Sequence, residues 1–104
     1  MINPKTKVEI KTMREGGRRH AEILQRLAAK AIPGVSSFEL ENLTRSWCQE
    51  LQVKPAFLNY QPDGASYPFP AALCLSINDE IVHGIPNQVE KILKDGDVVT
   101  FDLG

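Results

Sequence analysis

Leu73-Cys74-Leu75-Ser76-Ile77-Asn78-Asp79-Glu80-Ile81-Val82-His83-Gly84-Ile85-Pro86 is the stretch on which the fold turns. Its first five residues form a short apolar run, the pattern of a strand buried against a core, and Gly84-x-Pro86 is a turn signal. His83 therefore stands at a loop edge, where an imidazole can take or give a proton near neutral pH. His20 falls inside a helical pattern and reads as a surface or boundary residue. A second strand is predicted over Val98-Val99-Thr100-Phe101-Asp102-Leu103, whose alternation puts Asp102 on one face with Val98 and Thr100. A carboxylate amid that apolar run has two outcomes. It is aimed into a cleft, where it needs a cation, a metal or N–H donors, or it faces water from an edge strand. The connector from Asn87 to Asp97 is charged and ends in Asp95-Gly96-Asp97, a turn signal.

Upstream, Thr6-Lys7-Val8-Glu9 has the form of a capping box, in which hydroxyl and carboxylate each satisfy an unpaired backbone N–H. It predicts a helix near residues 7–31 with an apolar stripe of Ile10, Met13, Gly17, Ala21, Leu24, Leu27 or Ala28, and Ala31, stopped by Pro33-Gly34. Gly16-Gly17 inside it costs about 1 kcal/mol per residue relative to alanine, which predicts a close backbone approach at that turn. Ser36-Ser37-Phe38-Glu39 repeats the signature, with Val35 and Leu40 placed as a hydrophobic staple. The second helix buries Leu40, Leu43, Trp47 and Leu51, and ends before Pro55. From Pro55 to Pro70 the chain is a proline-stiffened loop carrying Phe57, Tyr60, Tyr67 and Phe69. Four rings in one loop either line a pocket or plug the core.

The 104 residues, 42% hydrophobic with twelve basic and thirteen acidic side chains, suit one small soluble domain. No apolar run of about 18 residues is present to span a bilayer, and Met1-Ile2-Asn3-Pro4-Lys5 lacks a signal-peptide core, so the expected location is the cytoplasm. Cys48 and Cys74 lack a CxxC or zinc-ligand context, and in a reducing compartment they are expected as two separate thiols. Residues 1–30 carry eight basic against three acidic groups, and the remainder four against ten. Arg14, Arg18, Arg19 and Arg26 read as a solvated helix face rather than a nucleic-acid surface. No P-loop, GxGxxG, GxSxG or HExxH occurs.

These residues together resemble the N-terminal half of the type I methionine aminopeptidases. The resemblance rests on Pro4-Lys5-Thr6, Met13 to Arg18, Val35 to Leu40, Pro55-Ala56-Phe57-Leu58-Asn59-Tyr60, Leu73 to Asn78, His83-Gly84-Ile85-Pro86 and Leu93 to Val99. It covers essentially the whole chain. Asn78-x4-His83-Gly-Ile-Pro followed by Lys94-Asp-Gly-Asp and a strand with Asp102 is its most distinctive part. The Gln61–Pro68 loop is longer here than the family pattern.

The resemblance implies an α+β fold, one half of an α/β pita-bread: two N-terminal helices packed on a small, mainly antiparallel curved sheet. Residues 1–104 are expected to be the N-terminal half of a metallopeptidase domain whose second half is absent from this chain. In the family a pair of divalent metals (Co, Mn, Fe or Zn) is held by two Asp, one His and two Glu, and Asp102 matches the first Asp. His83 matches the histidine beside the scissile amide, while Tyr60, Phe69 and Cys74 match the methionine pocket. The implied partners are nascent peptide N-termini. Two metal ions about 3.5 to 4 Å apart can activate a bridging water, and one carboxylate cannot hold such a pair. The chain alone is therefore expected to be inactive and without bound metal. The alternatives are a non-catalytic peptide-binding half-domain, or a self-associating one forming a homodimer through the uncovered sheet face.

Overall fold

A computed structural model describes residues 1–104. Two helices, α1 (Lys7–Lys30) and α2 (Ser37–Glu50), precede two short strands, β1 (Cys74–Ile77) and β2 (Val99–Asp102). The strands pair antiparallel, with Cys74 opposite Asp102, Leu75 opposite Phe101, Ser76 opposite Thr100 and Ile77 opposite Val99. The expected architecture of two helices on a small antiparallel sheet is thus present. No helix is long and apolar enough to cross a membrane.

Both helix starts lie where the caps predict. Thr6 accepts from the Glu9 N–H at 3.2 Å while Glu9 accepts from the Thr6 N–H at 2.6 Å, closing the first box. Ser36 caps α2 by accepting from the Phe38 N–H at 3.1 Å. Glu39 stays exposed, so the second cap works through its serine.

The helix faces differ from the predicted stripes. In α1 only Ile23 and Leu27 are buried, with Leu24 and Ala31 packed beside them. Met13 is 62% exposed, Ile10 is also uncovered, and Ala21 faces solvent. A Cβ added at Gly16 or Gly17 would meet nothing within 4 Å, so no neighbour in this chain requires glycine there. In α2 the deepest positions are Ser37, Leu40, Glu41, Thr44 and Cys48, and Leu43, Trp47 and Leu51 are only partly buried. The face is rotated because the Glu41 carboxylate enters the interior, where it accepts from the N–H groups of Ala72 at 2.9 Å and Leu73 at 3.0 Å. These donors lie just ahead of β1, and the carboxylate gives them the partners that a buried backbone requires.

The connector before β2 is more ordered than its charge suggests. Its Leu93 N–H donates to Val35 at 2.9 Å, and Leu93 accepts from Gly34 at 2.7 Å. Lys91 and Ser37 exchange bonds nearby, and Ser36 bridges Ile92. The turn between the helices is thereby tied to the strand region, around a core of Ile23, Leu27, Leu40, Leu73, Leu75 and Leu93.

Arg18, Arg19 and Arg26 form a network of surface ion pairs, in which Arg14 takes no part. Arg18 and Arg19 reach Glu15 at 2.7 and 3.0 Å, and Arg26 reaches Glu22 and Glu50 at 2.7 and 2.6 Å. Such pairs consume the charge of a basic face while adding little stability each.

Two turns carry acids that the fold keeps ionised. Asp97 accepts from Asn78 Nδ2 at 3.0 Å and from the Lys94 N–H at 2.8 Å, contacts that hold its carboxyl below the usual range. Glu80 is lowered by Lys91, 2.5 Å away, and by the Ile77 N–H. Arg18 and Arg19 take Glu15 down to about 2. A carboxylate depressed in the folded state stabilises above its unfolded pKa, near 4, and loses that contribution as pH falls through the folded value. The melting temperature should therefore hold steady from pH 7 to about 5 and fall below about pH 4. Circular-dichroism melts of the chain and of Asp97→Asn check this, the variant showing the shallower acid decline.

Candidate active site

Four of the sequence-predicted site residues, Tyr60, Phe69, Cys74 and His83, line one cavity of about 500 Å³ together with Phe57, Pro62, Ala65, Ser66, Tyr67 and Ile85. The aromatic loop therefore lines a pocket rather than plugging the core. Its floor is apolar: Cys74 is 4% exposed, Phe57, Phe69 and Ile85 are half-buried, and the Phe57 and Phe69 rings meet edge to face at 6.4 Å. Its rim is polar, with Tyr60 60% and Tyr67 57% exposed and His83 open to solvent. Such a site suits an apolar side chain with a polar group at its mouth.

Each wall has a local cause. Cys74 begins β1, the most buried strand. Phe69 is fixed by a two-bond bridge, its N–H donating to Tyr60 at 2.7 Å while it accepts from the Asn59 N–H at 2.9 Å. Asn59 takes a left-handed φ of 65° to make that bend. Ala56 donates to Gly104 at 2.9 Å, joining the start of the loop to the end of β2.

His83 has a backbone φ of 59°, a left-handed conformation uncommon outside glycine and asparagine. The next residue explains it. The Gly84 carbonyl accepts from the Leu75 N–H at 3.0 Å and the Gly84 N–H donates to Ser76 Oγ at 3.1 Å, so the segment lies flat on the free edge of β1. That placement sends His83 to the cavity rim, and Pro86, fully buried, anchors the far side.

Burial pushes the Cys74 thiol up to about 11, with Asp102 and Glu41 adding to the rise. At neutral pH it is a protonated thiol, and it serves as an apolar wall rather than a nucleophile. Burial also raises Cys48, and both cysteines are free.

Asp102 is exposed on β2 and does not line the cavity, but it sits opposite Cys74 on the same sheet face, near enough for its charge to act on that thiol. Of the two outcomes open to it, facing water is the one observed. No three His, Cys, Asp or Glu side chains gather in a group that could hold a metal ion. The nearby acid, Glu41, is committed to Ala72, Leu73 and Arg45. The donors of this chain therefore do not fit a two-metal centre by themselves.

Sequence reasoning missed Ile85 as a cavity residue, whereas Phe57 and Tyr67 were among the four loop aromatics for which a pocket was one of two readings. It also missed Glu41, whose signal was an acid on the helix face next to Leu40.

The chain resembles known proteins over its whole length. Methionine aminopeptidase of Aquifex aeolicus is 46% identical over 96 residues, covering 92% of this chain and 37% of that protein. Methionine aminopeptidase of Clostridium acetobutylicum is 36% identical over all 104 residues and 39% of its own length. Among solved structures, the Thermotoga maritima methionine aminopeptidase superposes with a TM-score of 0.84 at 36% identity, and the Rickettsia prowazekii enzyme with 0.86 at 35%. Each superposition covers 99% of this chain and 39% or 38% of the other, so the pita-bread half implied by the sequence is the fold shared over this span. The chain thus spans under two-fifths of the length of these relatives. Residues 11–104 match metallopeptidase family M24, and with the fold and cavity in agreement the chain belongs to that family.

Proposed function

We propose that residues 1–104 form the N-terminal half of a cytoplasmic methionine aminopeptidase, which removes the first methionine from nascent proteins. The observation that carries this reading is the convergence of Tyr60, Phe69, Cys74 and His83 on one cavity with an apolar floor and an imidazole at its rim. In this reading the methionine side chain rests on Phe69 and Cys74 beside Tyr60, and His83 exchanges a proton at the scissile amide. Asp102 contributes one carboxylate to a divalent pair of Co, Mn, Fe or Zn. The other donors come from outside these residues, and the 104 residues alone are inactive.

A chimera in which this chain replaces the matching segment of the Aquifex aeolicus enzyme tests the reading. It should release methionine from Met-Ala-Ser with added Co²⁺ or Mn²⁺, whereas the chain alone should not. His83→Ala in the chimera should lower kcat by about 100-fold or more, the usual worth of a positioned acid–base group. A folded but inert chimera, or robust turnover by the chain alone, would overturn the proposal.

A second reading, a self-associating half that pairs through the uncovered sheet face, draws on the exposed Val98 and Thr100 at β2. Light scattering separates the two, a concentration-independent monomer favouring the first.

A further inference from the structure

The loop from Gln61 to Pro68 is a separate excursion rather than part of the sheet framework. Both its ends are held by the Tyr60–Phe69 and Asn59–Phe69 backbone bonds, so the chain enters and leaves at one point. Inside it, Ala65 donates to Pro62 at 3.1 Å, Gln61 Nε2 donates to Ala65 at 2.9 Å, and Gly64 supplies a φ of 84°. Two prolines and these bonds give it a fixed shape at low entropic cost. Pro62, Ala65, Ser66 and Tyr67 all border the cavity that Cys74 and Phe69 also line. The volume of about 500 Å³ exceeds what one unbranched side chain fills, and the loop borders it.

We infer that the 61–68 loop is a specificity wall, and that Tyr67 is the residue through which it selects a long apolar side chain over a short one. This rests on the reading of the floor as a methionine site and extends it to a part of the cavity that the floor residues do not supply. The physical reason is reach. A methyl side chain on the Cys74 and Phe69 floor leaves most of the cavity volume unfilled, whereas a longer chain fills more of it and gains contact area on the Tyr67 ring that borders it.

The test titrates L-methioninamide and L-alaninamide into the ¹⁵N-labelled chain and follows amide shifts. The proteins compared are the wild type, Tyr67→Ala, Tyr67→Phe, and a variant with residues 61–68 replaced by Gly-Gly. Tyr67 is 57% exposed, so the dispersed spectrum of the core should survive its substitution. Tyr67→Ala and the loop replacement should weaken methioninamide by about three- to tenfold, the contribution of one aromatic wall, and leave alaninamide within about twofold. Tyr67→Phe should keep the wild-type preference. Equal weakening of both amides, or methioninamide affinity unchanged by either variant, overturns the inference while leaving the floor assignment standing. Absence of saturable methioninamide binding to the wild type overturns the floor assignment and the inference together.

Discussion

Gly84→Ala should abolish cooperative folding or lower stability by about 4 kcal/mol, a large share of the total for a domain this small. A Cβ at this position would overlap the Leu75 carbonyl oxygen and lie 2.7 Å from its carbon and 2.9 Å from Ser76 Cα. All three are backbone atoms of β1, so no side chain can swing aside. Relief requires the 83–86 segment to leave the strand edge, which breaks the Leu75-to-Gly84 and Gly84-to-Ser76 bonds. Each lost bond leaves a buried polar group unpaired at about 1–3 kcal/mol. His83, already held in a left-handed conformation, would leave the rim at the same time. Urea denaturation of the variant checks the loss, with Gly16→Ala as a control. Gly16 has open space around it within α1, and that change should stabilise by about 0.5–1 kcal/mol. A Gly84→Ala midpoint close to that of the wild type would show that the strand edge yields more easily than the contacts allow.

His83-Gly84 also marks how far the site could be read in advance. The sequence places an imidazole at a loop edge, because Gly-x-Pro is a local signal. It does not show that glycine is required by Leu75, since that contact spans nine residues and depends on the path between them. The same division holds elsewhere. Caps at Thr6 and Ser36, the Pro33-Gly34 stop and the Asp95-Gly96-Asp97 turn were legible because each acts within four residues. The faces of α1 and α2 were not, because a 3.6-residue period admits neighbouring stripes and the choice belongs to what packs against the helix. Met13 had no partner to cover it, and Glu41 had two backbone donors waiting for it. The bridge from Val35 to Leu93 was hidden for the same reason, as its connector shows charge rather than strand alternation. The aromatic loop showed that Phe57, Tyr60, Tyr67 and Phe69 needed a common explanation, and only the bonds around Phe69 determine that it is a cavity. For Asp102, alternation correctly assigned a face, but which face met solvent depended on the packing of β1.

Glu41→Ala should cost about 3–4 kcal/mol, more than the loss from Arg45→Ala, although the two side chains form an ion pair at 2.6 Å. The asymmetry follows from burial. Glu41 is 1% exposed and Arg45 42%, so the guanidinium keeps much of its hydration when its partner is lost and still donates to Pro70 at 3.0 Å. Truncating Glu41 instead leaves the Ala72 and Leu73 N–H groups inside the core without acceptors, at about 1–3 kcal/mol each. Truncating Arg45 leaves the buried carboxylate without its cation but still with both those donors, at about 1–2 kcal/mol. Glu41→Gln should fall between, because its amide oxygen accepts but its NH₂ turns a donor toward donors. Chemical denaturation ranks the variants, and hydrogen exchange locates the damage: Ala72 and Leu73 should lose protection in Glu41→Ala and keep it in Arg45→Ala. Since Cys74 follows directly, the cavity floor should loosen with them, and L-methioninamide should bind more weakly to Glu41→Ala at temperatures where the helices are still folded. Equal losses from the two truncations would mean that the ion pair, and not the backbone, is what the buried acid serves.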